Sequence, residues 1–404
     1  MGGVQMKRYW KITSVLLIMV VAIGAFYIQS SFAAKNKLSV EFKKLSGDED
    51  EIKNLVIHGS YIGVDQFQSL KIMNKKTTIL ENQSIFQTIE GNANSPIFGK
   101  MIDNYRSFMR SKARYPGHFY EDKKLLAYAN IKGFSTGPFV RQTNNFSFDI
   151  KVLDKKSEEI KSIELDLPNT EKYDWIQVED VQVIKGKLKA FTRFTPQRGG
   201  IELRVYTFDL EKQKFVNKAT INFGPKVENG WTDIEFISDP LSMKPQKYHL
   251  MSEVVKTGEG QGQVGSSKFN QEIYIYNIDS NQSKKLTIPD ELQLQIDSSA
   301  ILNSTIFTYF ESEDGFEIRS YDIEKDQWGK NSKFHGKQKG DNTFFRVMNG
   351  KLYIISSTKN GHTIFIGDVK TGKPLYEGEL KLKKEAKEKQ KDYKLYLDEI
   401  EFVN

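Results

Sequence analysis

The chain has 404 residues, a formal charge of +7, 12% aromatic residues and no cysteine. That length can bury a sizeable core. The absence of cysteine excludes disulfides, thiolate metal sites, a cysteine nucleophile and a lipid-bearing N-terminal cysteine.

At the N-terminus, Lys7, Arg8 and Lys11 lie ahead of an apolar run from Val15 to Ile28, and no acidic residue precedes Glu41. A charged segment followed by an apolar one is the pattern of an export signal or an anchor. The 17 residues from Ile12 to Ile28 are interrupted only by Thr13, Ser14 and Gly24. This length is on the border between a signal peptide and a single spanning helix. The sequence predicts that residues 1–33 are a retained single-pass anchor in the cell membrane, with the C-terminal domain outside. Cleavage after Ala33, followed by secretion, is the alternative. The residues after 33 carry +4, because the segment before them holds only three basic residues and no acid. So weak a bias permits contact with anionic wall polymers or lipid headgroups and gives no reason to expect nucleic acid.

Residues 34–54 are polar, with an acidic cluster from Asp48 to Glu51. They read as a stalk, and the cluster lacks the oxygen-ligand spacing of a calcium loop. The folded domain is expected over 55–404, with its first strand starting at Leu55. Residues 96–114 place Phe98, Met101, Ile102, Tyr105, Phe108 and Met109 at helical spacing, with Lys100, Arg106, Arg110, Lys112 and Arg114 between them. Ser95 suits the cap and Pro96 the first turn. This pattern predicts one amphipathic helix packed on the domain; a basic helix facing a membrane or partner is the alternative reading. An aromatic turn from Tyr115 to Tyr120 follows. Arg106, Arg110, Tyr115, His118 and Tyr120 are the candidate ligand or partner contacts.

The rest of the chain repeats one phrase: a strand ending in Asp or Asn, a polar turn, then another strand. The copies centre on Asn74, Asp154, Asp209, Asn277, Asp322 and Asp368. The last three are about 45 residues apart, close to the period of a four-stranded blade. Five copies have a recognisable strand just ahead, starting at Leu125, Lys187, Tyr248, Ser304 and Lys351. The anchor residue is expected to bond backbone amides in its turn and not to serve in catalysis. In the copy at Asp368, Leu352, Ile354, Ile364 and Ile366 alternate as half-buried strands require. Tyr393 to Val403 alternates well enough to be a closing strand paired with the segment starting at Leu55. The charged run from Lys381 to Lys394 reads as a solvated helix or linker.

This repeat resembles the irregular bacterial β-propellers of the cell envelope, over roughly residues 45–404. There is no Trp-Asp dipeptide, and the only Gly-Gly pairs are Gly2-Gly3 and Gly199-Gly200. The resemblance implies an all-β fold of six to eight blades with one helical insertion. It also implies binding through loops and a central channel; a minority of such proteins are hydrolases or lyases.

Several motifs lack the context that their chemistry needs. Gly133 to Gly137 matches a nucleophile elbow but has Pro138 and a β stretch where a helix is required. The Gly-rich stretch 258–267 lies between strands, unlike a phosphate-binding loop. Ser356 to Lys359 with Lys370-Thr371-Gly372 resembles a penicillin-recognising set, but the Ser and Lys are at a strand end. The five histidines, His58, His118, His249, His335 and His362, show no metal-ligand spacing. No catalytic, cofactor or metal residue is assigned. The expected function is a membrane-tethered extracellular binding, sensing or scaffold module without catalysis, whose partner is an envelope protein or anionic wall polymer. The alternative is an exported hydrolase or lyase working at the channel.

Overall fold

The computed structural model describes residues 10, 13–21, 39–62, 67–74, 76–80, 96–133, 146–197, 200–221, 223, 230–237, 243–257, 268–288, 299–312, 315–329, 331–335, 343–358, 361–382 and 394–402. In chain order, the first strands are β1 (Val40–Gly47), β2 (Leu55–Ile62), β3 (Phe67–Met73) and β4 (Lys76–Ile79). Two helices follow, α1 (Pro96–Asn104) and α2 (Arg106–Met109). Then come β5 (Phe119–Glu121), β6 (Leu125–Lys132), β7 (Phe146–Asp154) and β8 (Ile160–Leu167). The next group is β9 (Tyr173–Ile184), β10 (Lys187–Pro196), β11 (Glu202–Asp209) and β12 (Lys214–Ile221). It is followed by β13 (Gly230–Phe236), β14 (Tyr248–Thr257), β15 (Lys268–Asn277) and β16 (Gln282–Lys285). The fifth group is β17 (Ser299–Leu302), β18 (Thr305–Ser312), β19 (Gly315–Asp322), β20 (Gln327–Trp328) and β21 (Ser332–His335). The last strands are β22 (Thr343–Met348), β23 (Lys351–Thr358), β24 (Gly361–Asp368), β25 (Pro374–Leu382) and β26 (Lys394–Phe402).

Among the described residues these strands make six antiparallel sheets of four or five strands. Sheet I is β26-β2-β3-β4, sheet II β5 to β8, sheet III β9 to β12 and sheet IV β13 to β16. Sheet V is β17 to β20 with β21 also paired to β19, and sheet VI is β22-β23-β24-β25-β1. Five anchors of the repeat end their sheet's third strand, and Asn74 directly follows β3. Asp154 accepts from the amides of Lys156 and Ser157, both at 2.9 Å. Asp209, Asn277, Asp322 and Asp368 do the same for the amides two and three residues on. These bonds hold the carboxyls of the four Asp anchors below the usual carboxylate range, chiefly through the turn amides or a neighbouring side chain. The anchors are turn formers, as their chemistry predicts.

Neighbouring sheets meet through apolar faces. Leu352, Ile354 and Phe365 of sheet VI pack with sheet V, while Tyr353, Ile355, Ile364 and Ile366 pack with sheet I. The strands expected to be half-buried are therefore buried on both faces. Sheets II and III, III and IV, and IV and V share clusters of the same kind.

The two ends of the repeat cross over. β26 pairs with β2 from Leu55↔Phe402 to Ile62↔Lys394, the expected closure. β1 pairs with β25 from Val40↔Leu382 to Gly47↔Tyr376. That second pairing corrects the stalk expected over 34–54: residues 40–47 are an edge strand. Val40 is buried and Phe42 half-buried on one side, and the exposed Lys43 and Lys44 keep the open edge polar. The acidic cluster forms a short 3₁₀ turn in which Asp48 accepts from the Asp50 amide at 3.0 Å.

The predicted helix over 96–114 is two shorter pieces. Tyr105 leaves helical geometry at φ −134°, ψ 48°, and Ser111 turns left-handed at φ 61°. Phe98, Met101, Phe108 and Met109 are buried, so the helices pack on their own domain. Lys112 donates to the Phe108 carbonyl and closes α2. Ser95, residues 134–137, the Gly-rich stretch 258–267 and residues 383–393 lie outside the described residues. The strands flanking the Gly-rich stretch, β14 and β15, pair with each other. Residues 13–21 are helical, and Val15 to Val21 are exposed. No helix of the described residues is long and apolar enough to cross a membrane.

Candidate functional site

A cavity of about 830 Å³ opens where α1 and sheets I, II, IV, V and VI converge. Its walls come from short turns and strand ends that are far apart in the chain. Sheet II supplies Glu121, Asp122 and Lys123; sheet V supplies Ile301 to Asn303; sheet VI supplies Arg346 to Asn349; sheet I supplies Glu401 and Phe402. The segment Met243 to Gln246 leads into β14 and forms another wall. It is pinned from two sides. The Glu121 amide donates to the Met243 carbonyl at 2.7 Å, and the Gln246 amide donates to Gln182 Oε1 at 2.9 Å. Gln182 is itself buried and donates to Asp180, which lies 3.1 Å from His249 Nε2.

The lining combines apolar surface with charge. Met101, Tyr105, Met243, Leu302, Met348 and Phe402 make much of the wall. Five cationic side chains (Lys100, Lys123, Lys155, Lys244 and Arg346) face three carboxylates. Lys155 is held by Glu121 at 2.6 Å and by the Asp122 carbonyl at 2.7 Å, over the Tyr105 ring. Lys244 reaches Asn349 Oδ1 at 3.3 Å. Arg346 is 9% exposed and donates to the Ile400 carbonyl. Glu401, 4% exposed, is 3.6 Å from His58 Nε2. Burial lowers the pKa of nearby Lys71, and the Glu401 charge partly offsets this. A buried guanidinium and a rim of lysines beside apolar walls suit an anionic ligand with an apolar body.

A second cavity, of about 340 Å³, lies between the aromatic turn and β9, lined by Tyr115, His118, Asn130, Trp175 and Gln177 among others. The turn approaches β9 closely at Gly117, where a Cβ would come within 2.0 Å of the Glu179 carbonyl oxygen. Only glycine permits that approach. The structure thus brings Tyr115 and His118 together, with ring centroids 5.0 Å apart. It does not place the other candidates with them. Tyr120 is buried between sheets II and III and donates to Asp122 at 3.2 Å. Arg106 and Arg110 are exposed on and just after α2, and neither lines the two cavities. The cavity of 830 Å³ was not legible in the sequence, since only its three-dimensional convergence marks it.

The remaining chemistry is sparse among the described residues. No group of three His, Asp or Glu is placed to hold a metal ion. Ser357 and His362 Nε2 are 2.9 Å apart, facing each other across β23 and β24. Among the described residues His362 Nδ1 has no hydrogen-bond partner, so no third group orients the pair there. Burial lowers the His362 pKa to about 4. Lys370-Thr371-Gly372 forms the turn capped by Asp368, which accepts from the Thr371 amide and hydroxyl, each at 2.7 Å.

No family model matches the chain, and no curated protein does. Among solved structures, it is similar to TolB from Acinetobacter baumannii at 10% identity and TM-score 0.30, covering 82% of this chain and 64% of that one. It is similar to uncharacterized protein lmo1340 from Listeria monocytogenes EGD-e at 9% identity and TM-score 0.34, covering 64% of each chain. It is similar to the β-propeller domain of the Trilobed protease from Pyrococcus furiosus at 12% identity and TM-score 0.32, covering 82% and 83%. All three likenesses are distant, and the chain's own strand pairing defines its fold.

Proposed function

We propose that the chain is a six-bladed β-propeller and acts as a binding module for an anionic ligand with an apolar body. The carrying observation is the cavity of about 830 Å³, which sets Arg346 and four lysines beside Met101, Leu302, Met348 and Phe402. Six sheets in series, locked last to first by β1 and β26, support the propeller reading. The module is held outside the cell membrane by its N-terminal apolar segment, a reading supported by the charge-then-apolar pattern at Lys7 to Ile28. Its ligand is part of an envelope protein or an anionic envelope polymer or lipid. Calorimetric titration of the full chain with oleate and with oleyl alcohol tests the cavity. Oleate should bind and the alcohol should bind at least about tenfold more weakly, a difference that Arg346→Gln narrows. Equal affinity for both, or no binding of either, overturns the proposal.

A hydrolase or lyase is the alternative, favoured by the Glu121, Asp122 and Glu401 carboxylates in the same cavity. Turnover of an ester or glycoside panel that is lost in Glu401→Gln would support it over pure binding.

A further inference from the structure

We propose that the cavity between the aromatic turn and β9 is a binding site for a neutral, hydroxyl-rich ring: a sugar unit of a glycan. This site is separate from the central cavity and does not depend on the ligand proposed there. Two aromatic side chains remain open to solvent at its edges, Tyr115 at 39% and Trp175 at 47% exposure. Isolated exposed aromatics need no explanation, but these two line one cavity of about 340 Å³, near the lower end of the range for small-ligand sites.

The Trp175 ring is held in place. Its Nε1 donates to Gln177 Oε1 at 2.6 Å, and Gln177 Nε2 donates to Glu179 Oε1 at 2.6 Å. Glu179 accepts from Arg193, which also pairs with Asp233 at 3.2 Å. The relay satisfies the indole N–H and leaves the ring as an apolar contact surface. That matters for the choice of ligand. An extended proline-rich peptide on an aromatic platform wants a free donor for its carbonyls; here the indole donor is occupied. A sugar needs an apolar face for its C–H side and hydrogen-bonding groups at its edge.

The hydrogen-bonding groups are present, and the lining carries no formal charge. Asn130 and Gln177 supply amide oxygens that already accept from the Ile131 amide and Trp175 Nε1 and keep a second lone pair each. His118 is 8% exposed, bonds to the Val178 backbone and keeps Nδ1 buried without a partner. A buried polar atom left unpaired is costly, and a ligand hydroxyl that paired with it would remove that cost. Burial lowers the His118 pKa to about 4, so the ring is a neutral acceptor near neutral pH.

The test is titration of the full chain with glucose, N-acetylglucosamine and its linear trimer, read by tryptophan fluorescence and ligand-observed NMR, with a proline-rich peptide alongside. At least one sugar should saturate. Trp175→Ala should weaken it about tenfold or more with Tm unchanged, since the residue is exposed. Gln177→Ala should weaken it less. Saturation by the peptide without any sugar, no saturable sugar, or equal sugar affinity in Trp175→Ala overturns the assignment.

Discussion

Sheets II and VI have the same construction on one side and different covers on the other. Sheet VI is faced by sheet V and by sheet I, and the seam with sheet I is fastened by β1 and β26 from opposite ends of the chain. Sheet II is faced by sheet III through Ala127, Ala129 and Ile131. Its other face, with Leu126 and Tyr128, is covered by α1 and α2. Successive residues of one strand therefore serve two different kinds of neighbour, because side chains alternate across a sheet. The consequence is functional. Helices are narrower than a sheet, and α1 with the Tyr105 that follows it brings Lys100, Met101, Asn104 and Tyr105 to the wall of the central cavity. The fastened seam contributes stability; the helical cover contributes shape to the site.

Cutting the fastener should have the largest effect. Ending the chain after residue 393 removes β26 and with it Ile400, which is fully buried in the seam. β2 becomes an open edge with both its partner and the Arg346–Ile400 bond lost. The expected outcome is loss of a single cooperative unfolding transition, or aggregation, by calorimetry and light scattering. Unchanged melting and solubility would show that the seam is not what joins the two ends of the repeat.

Opening the helical cover should cost less. Phe108 is 1% exposed beneath α2, and Phe108→Ala should destabilise by about 3–5 kcal/mol. The chain should stay folded and cooperative in urea, because sheets II and III keep their shared core. If Phe108→Ala proves as damaging as the truncation, the helices are part of the closure and the comparison fails.

These two regions were not equally readable. Five of the turn anchors and the strands ahead of them follow from local chemistry: an Asp or Asn oxygen meets two backbone amides within three residues. β26 was readable because Leu395 and Leu397 alternate with Lys394 and Tyr396, although a register shift opposite His58 and Gly59 breaks the pattern before Ile400. β1 was not, since VEFKKLSG has only two apolar positions on its buried side and the charges of an exposed segment. The broken helix follows from Tyr105 geometry that periodicity does not encode. Tyr115 and His118 were recognisable as an aromatic turn. Trp175, some 60 residues on in the sequence, joins them only through the close approach at Gly117. The central cavity draws on five sheets and has no local signature at all.

Acid distinguishes the two regions more finely, because each holds one buried neutral histidine. His118 lies by the helical cover and His362 on β24 of sheet VI, both with pKa lowered from 6.5 to about 4 by burial. The unfolded chain takes up these protons first as pH falls below 6.5. Stability present at neutral pH should therefore decline from pH 6.5 to about 4, each histidine contributing on the order of 3 kcal/mol. His118→Phe and His362→Gln should each flatten part of the urea-unfolding profile in that window. A profile unchanged by both substitutions would mean that neither histidine is held neutral.

The smallest effects should come from the turn anchors, and they compare sheet VI with sheet III. Asp368 accepts three bonds, including the Thr371 hydroxyl at 2.7 Å, whereas Asp209 accepts the two amides of Glu211 and Lys212. Asp368→Ala should therefore lower Tm more than Asp209→Ala does. The Asn variants should change Tm hardly at all near neutral pH, because Asn277 already fills the same position in sheet IV with an amide oxygen that accepts the same two amides. Acid supplies the contrast. Both Asp carboxyls titrate below their ordinary 3.8, so the stability they add is complete above that pH and is lost as pH falls through the lower folded value. Asn removes this acid-sensitive part and keeps the turn. If Asp368→Asn is as harmful as Asp368→Ala at pH 7, the carboxylate charge and not the turn geometry is what the repeat preserves at its third-strand ends.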